Sequence, residues 1–348
     1  MLQFNGRHAP FLPGNIPVFR KLPALHYCRP DDTIFFPLSV LFLLRRLEKY
    51  LSSEEISQIK LVLPHVKQQL YLYKNKDTEP SYNFWKTRPS AHWPFGNFAQ
   101  RFRFFQIPDD IDDSALALSI LDGQKTDFEA LRNKMLRYAN VNVGKNHPHT
   151  FSVFRNRKIY NTFFIKSMPS SFDFCALSNV MLLFHEAGLE TVEEDADSIF
   201  FLRQSLFNGQ FFNRPWAISP YYPDSAVILY HAVRSRECLF SDSEQADILL
   251  PLLQDVFTRC RRPVQKMMLA SSLMKMGVKP EDVSIPDDRA LDNFVFFVAG
   301  LFGEFHSPWI RLLDRLSFTQ VKYHCRTFSD ALLFEYLILK RSHETVAR

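Results

Sequence analysis

The densest cluster of ionisable side chains is Pro108-Asp109-Asp110-Ile111-Asp112-Asp113-Ser114-Ala115. Four carboxyl groups, Asp109, Asp110, Asp112 and Asp113, stand directly ahead of the apolar run Ala115–Leu121. Like charges this close cannot all ionise freely, so at least one pKa must rise, and more so beside apolar surface. A carboxylic acid held neutral near pH 7 is equipped to act as a general acid. The same placement also has a purely structural use. Aspartates ahead of a helix cap its free N–H groups and face the positive end of its dipole. Pro30-Asp31-Asp32-Thr33 and Pro286-Asp287-Asp288 repeat the pattern before two other expected helices. Burial separates the two readings: an acid at Asp112 faces a closed aromatic cavity, whereas a cap sits on the rim, bonded to backbone N–H groups.

Other reactive side chains are sparser. His231 lies in the apolar stretch Ala226–Val233, where it either partners an acid across a cavity or is an ordinary core histidine. His147-Pro148-His149 has two metal-ligand side chains without a third nearby. Ser272-Leu273-Met274-Lys275 matches Ser-x-x-Lys but lacks the companion motifs of that serine class. Arg259, Arg261 and Arg262, with Arg234 and Arg236, are either a diphosphate site or solvated helix ends. Cys28, Cys175, Cys238, Cys260 and Cys325 are scattered and odd in number, which fits neither a disulfide framework nor a zinc site. No metal site is expected.

These side chains must be positioned by a large, mostly helical core. The chain has 348 residues, 46% hydrophobic and 23% charged, which excludes disorder. Its formal net charge of +5 is mild for this length and argues against a dedicated nucleic-acid binder. Only 10 residues are Gly, well below the usual ~7%, which disfavours turn-rich β folds and Gly-rich phosphate loops. Phe is abundant, at 35 residues, and fills either a core or an aromatic-lined cavity. The longest apolar run, Ile34–Leu44, is too short to span a bilayer, which needs ~20 residues. The N-terminus lacks the order of a signal peptide. The expectation is a cytoplasmic protein with no transmembrane segment, leaving peripheral membrane contact open.

Apolar periodicity predicts about twelve helices in six consecutive pairs. Nearly all-apolar segments (Ala115–Leu121, Ala176–Phe184, Ala226–Tyr230, Phe294–Phe302, Ala331–Leu339) alternate with amphipathic, charged ones (Glu54–Gln69, Phe128–Arg137, Glu244–Arg259). An all-apolar helix is buried on every side and an amphipathic one has a wet face. The alternation therefore suggests an inner ring of helices wrapped by an outer one, an all-α (α/α)6 toroid. One short β-hairpin is expected at Thr150–Ser167, from its alternating apolar residues. Residues 1–30 read as an extended lead-in and 74–108 as a long ordered loop. No linker divides the chain, so 1–348 is taken as one domain.

At the aspartate cluster the sequence resembles a known family. Asp110-Ile111-Asp112-Asp113-Ser114-Ala115 is similar to the Asp-x-Asp-Asp-Thr/Ser-Ala motif of class II terpene cyclases, whose α/α-toroid domains place it at the start of an inner helix. The resemblance implies that Asp112 protonates an alkene or epoxide while Asp110 and Asp113 tune it. Tyr221-Tyr222-Pro223-Asp224-Ser225 and Cys175-Ala176-Leu177-Ser178-Asn179-Val180-Met181-Leu182 resemble segments of toroid proteins related to terpene cyclases and protein prenyltransferases. They add Tyr222 and Asn179 to Asp109 and His231 as cavity candidates. Gln-Trp repeats of the triterpene type are absent, and the length suits one toroid domain where class II sites usually lie between two.

The resulting expectation is proton-initiated cyclisation of an isoprenoid without a cofactor; a diphosphate substrate would bring Mg2+. The partner is then a hydrophobic small molecule, and the oligomeric state is open. One alternative is a non-catalytic toroid binding a lipid-like or peptide ligand. A second is a Mg2+-dependent class I terpene synthase, since Asp109-Asp110-Ile111-Asp112-Asp113 also reads as Asp-Asp-x-x-Asp, although no Asn-Asp-x-x-Ser-x-x-x-Glu partner is found.

Overall fold

The structure is a computed structural model that describes residues 16–76, 79–94, 106–143, 152–154, 156–166, 170–300, 316 and 318–346. The described residues are mostly helical, with one small antiparallel sheet. Six buried helices carry the core: α1 (Phe35–Leu47), α3 (Ile111–Ile120), α5 (Phe174–Glu186), α7 (Ser225–Arg234), α9 (Pro263–Lys275) and α10 (Arg326–Val346). Each packs on the next in this order, and α10 packs back on α1. Their sequences explain the burial. Every residue from Phe35 to Leu43, from Phe174 to Phe184 and from Ala226 to Val233 is buried.

Amphipathic helices cover this set from outside. α2 (Ser53–Gln69) packs on α1, α4 (Lys125–Arg137) on α3, α6 (Glu193–Phe207) on α5, and α8 (Leu250–Arg259) on α7 and α9. α2 opens with a capping box, Ser52 accepting from the Glu55 amide and Glu55 from the Ser52 amide. Three of the buried helices start on aspartates instead. Asp110 caps α3, Asp173 caps α5 and Asp224 caps α7, each accepting from backbone N–H groups of the first turn. The Leu-, Ala- and Val-rich runs Ala115–Leu121 and Ala226–Tyr230 thus belong to buried, mutually linked helices, as the periodicity predicts.

Three expected elements differ. Phe294–Phe302 is not an inner helix: a short helix, Asp288–Asn293, is followed by strand β3, Phe297–Gly300. A continuous apolar run does not distinguish a buried helix from a buried strand. Here β3 pairs with β4 (Gln320–His324), and the Val298 amide bonds the Tyr221 carbonyl. Residues 18–31 of the supposed lead-in form strands β1 (Val18–Leu22) and β2 (Tyr27–Asp31), completing a sheet of order β2-β1-β4-β3. The fold is therefore not all-α. The described part of Thr150–Ser167 forms no hairpin. It holds a short 3-10 turn at Ser152–Phe154, and then the segment 159–164 lies against the start of α3. There the Ile111 amide bonds the Thr162 carbonyl and the Phe164 amide the Asp109 carbonyl. Its apolar positions cover α3 instead of pairing with each other. Within 74–108 the described residues form only isolated bridges, in keeping with an ordered loop. Trp309–Leu316 lies outside the described residues except for Leu316, as does His147-Pro148-His149. Among the described residues no helix is long and apolar enough to cross a membrane.

Candidate active site

α3 starts where four segments meet: the loop at Tyr82, the segment 159–164, the middle of α5 and the turn before α7. Each of the four aspartates takes a different job there. Asp110 is the cap, its Oδ1 accepting from the Asp113 amide at 2.8 Å. Asp109 turns the other way and accepts from Ser81 Oγ at 2.6 Å and Asn83 Nδ2 at 3.2 Å, with Asn75 also bonded to it. Asp113 is 1% exposed, and its Oδ1 has no hydrogen-bond partner among the described residues. Its carboxyl faces that of Asp110. Two carboxyls in contact require a proton between them. Burial, then the Asp110 and Asp112 charges, push Asp113 well above the usual carboxylate range. Burial raises Asp110 as well, opposed by the Asp113 amide bond.

Asp112 is not a cap. Its carboxylate is buried and contacts side chains from two other elements. Asn179 Nδ2, in the middle of α5, donates to Oδ1 at 2.7 Å, and Tyr222 Oη donates to Oδ2 at 2.7 Å. Burial raises the Asp112 pKa, opposed by these two hydrogen bonds and by the Arg234 charge. Of the two causes expected from the sequence, burial beside apolar surface is the one that lifts it, and charge repulsion from Asp110 and Asp113 is not. Repulsion acts in the other direction, raising Asp110 and Asp113 through the charge of Asp112.

Tyr222 connects the acid to an aromatic cluster. Its ring centroid lies 6.0 Å from Phe35, 5.4 Å from Phe296, 5.5 Å from Phe297 and 5.6 Å from His231. His231 bonds no aspartate. Its Nδ1 donates to the Val227 carbonyl at 2.9 Å, its ring stacks on Phe296, and burial lowers its pKa well below the usual value. It is a neutral core histidine with Nε2 as its unprotonated nitrogen.

The structure thus brings Asp112, Asn179 and Tyr222 together, sets His231 behind Tyr222, and directs Asp109 elsewhere. Because Asp109 and Asp113 point to different partners, they do not converge as the two ends of an Asp-Asp-x-x-Asp motif. Among the described residues no group of three His, Cys, Asp or Glu side chains is placed to hold a metal. Ser272 Oγ donates to the Met268 carbonyl and Lys275 pairs with Glu335, so the Ser-x-x-Lys pair is not joined.

Two further side chains contribute, one weighed from the sequence only as a diphosphate ligand or a solvated helix end and one missed. Arg234, at the end of α7, is not a solvated helix end: it donates to Asn179 Oδ1 and lies over the Phe42 and Tyr230 rings. Arg262 and Arg259, by contrast, pair with Asp224 and Asp255 on the exterior. Asp173 is a second buried acid near Asp112. It caps α5, accepts from Ser219 Oγ at 2.9 Å and the Tyr221 amide at 3.0 Å, and is pushed by burial up to about 7. The signal for it was present, since Asp173 precedes an apolar helix as Asp110 does, but a lone aspartate there reads as a cap. Below Arg234 the polar string continues: Tyr230 Oη donates to Glu335 at 2.8 Å, and Lys275 Nζ to its other oxygen at 2.5 Å. No known protein family, curated protein or solved structure was found to match this chain.

Proposed function

We propose that the six buried helices are the inner ring of an (α/α)6-type toroid and that Asp112 is the acid of a proton-initiated isoprenoid cyclase. The observation that carries this reading is the division of labour in the aspartate cluster: Asp110 does the capping, while Asp112 is buried, unneeded by the helix, and placed on Asn179 and Tyr222 beside aromatic rings. In its protonated form Asp112 gives its proton to a substrate carbon–carbon double bond, and the resulting carbocation lies among the rings of Phe35, Tyr222, Phe296 and Phe297. Phe296, just ahead of β3, and Phe297, its first residue, pack on Tyr222. Departure of a proton from the cyclised cation restores Asp112 for another turnover.

One observation favours a non-catalytic toroid that binds an apolar ligand. Both Asp112 oxygens already accept hydrogen bonds, so the network is complete as it stands. Incubation with farnesyl and geranylgeranyl diphosphates and squalene-type substrates, read by mass spectrometry, separates the two. Cyclised product that disappears in Asp112→Asn supports the cyclase; no turnover of any substrate supports the binding protein.

A further inference from the structure

The sheet has one buried and one outward face. In the β1–β4 ladder Arg20 lies opposite Tyr323, and both are buried. One residue along, Lys21 lies directly opposite Lys322, so the two lysines share the outward face. Like charges opposite one another weaken a ladder, and neither lysine forms an ion pair with a described residue. Their field reaches His324, next along the same face. Burial first, then Lys21 and more weakly Lys322, lower its pKa to about 4.

The same end of the sheet carries apolar side chains in water. β1 runs past Lys21 into the turn Pro23–Leu25, where Leu25 is 72% exposed. β4 is antiparallel to β1, so its start lies at this end, where Phe318, two residues before the strand, is 55% exposed. Leu316 is exposed as well, and Phe19 is exposed on the outward face toward the opposite end of β1. Exposed apolar tips ahead of a pair of lysines on half-buried stems match the layering of a bilayer surface, with acyl chains inside and anionic phosphates outside.

We propose that this end of the sheet docks the protein on an anionic membrane surface, Leu25 and Phe318 entering the interface while Lys21 and Lys322 remain at the lipid phosphates. The inference does not depend on the cyclase reading.

The test is flotation of the full chain with extruded phosphatidylcholine vesicles, with and without phosphatidylglycerol. Binding is expected only with the anionic lipid and is expected to weaken in high salt. Lys21→Gln/Lys322→Gln should reduce partitioning about thirtyfold, at ~1 kcal/mol per cation. Leu25→Glu/Phe318→Glu should abolish it, whereas Leu61→Glu, at an equally exposed site on α2 (65%), should leave it unchanged. All four altered positions contact solvent, and unchanged circular dichroism verifies folding. Absence of binding, or equal loss in Leu61→Glu, overturns the proposal. So does light scattering that shows a dimer broken by the Leu25/Phe318 variant, which would assign the face to a second copy of the chain.

Discussion

Arg234 donates to the amide oxygen of Asn179, and that contact decides which way round the amide sits. A guanidinium has no acceptor, so the amide oxygen must face it and the NH2 group must face Asp112. Asn179 is therefore a fixed donor to the Asp112 carboxylate. Replacing Arg234 with Leu removes both the lock and a positive charge that lowers the Asp112 pKa. The Asp112 pKa should then rise, read by carbon-13 NMR of labelled aspartate against Asp112→Asn. Leaving the buried amide oxygen unpaired should cost about 1–3 kcal/mol in urea unfolding. An unmoved aspartate titration would disconnect Arg234 from the acid.

Asp112→Asn keeps both contacts of the site, with the one to Tyr222 reversed in direction. The asparagine oxygen accepts from Asn179 and its amide donates to Tyr222 Oη. Stability should change by less than about 1 kcal/mol, while turnover of any cyclised substrate should disappear. A variant that cyclises at the parent rate removes Asp112 from the chemistry.

Stability should fall as the solution is made more alkaline. Burial raises Asp173 from its ordinary value to about 7, and raises Asp110 in the same direction. The folded state then holds protons that the unfolded chain releases from about pH 4 upward. The stabilisation is complete below that pH and is lost as pH rises through about 7. Calorimetry from pH 4 to 8 should show a declining Tm that levels off above this range. Asp110→Asn keeps the cap oxygen and should flatten part of the slope; a Tm that climbs toward pH 8 contradicts the assignment.

Lys275 and Glu335 form a buried ion pair whose other partner is the Tyr230 hydroxyl. Lys275→Met leaves a buried carboxylate without its cation and should cost about 3–5 kcal/mol. Lys275→Met with Glu335→Leu should recover most of it, since desolvating the pair opposes its attraction. Denaturant midpoints of the two variants decide the matter, and equal losses would mean that the pair is held for some other reason.

For Ala176–Phe184 and Ala226–Tyr230 the all-apolar pattern, and for Glu54–Gln69 and Phe128–Arg137 the amphipathic one, were sufficient to tell buried helices from wet ones, because burial on one side or all sides is a local property of the 3.6-residue repeat. The aspartate cluster was likewise legible ahead of its apolar helix, whereas Tyr222 and Asn179 were named only through the resemblance of their segments. The division of labour among the aspartates was not legible. Adjacent carboxylates have the same chemistry in sequence, and only the approach of Asn179 across 67 positions and Tyr222 across 110 separates Asp112 from the cap Asp110. Phe294–Phe302 shows the same limit. Its apolar run suits a helix or a strand equally, and the choice is made by β4, which offers Phe297–Gly300 a ladder of backbone partners from a distant part of the chain. Arg234 could be weighed only as a diphosphate ligand or a charged helix end until folding placed Asn179 and the Tyr230 ring against it. Side-chain type and period are local and survive in the sequence; pairing, burial and the pKa values that follow from them belong to contacts that exist only once the chain has closed on itself.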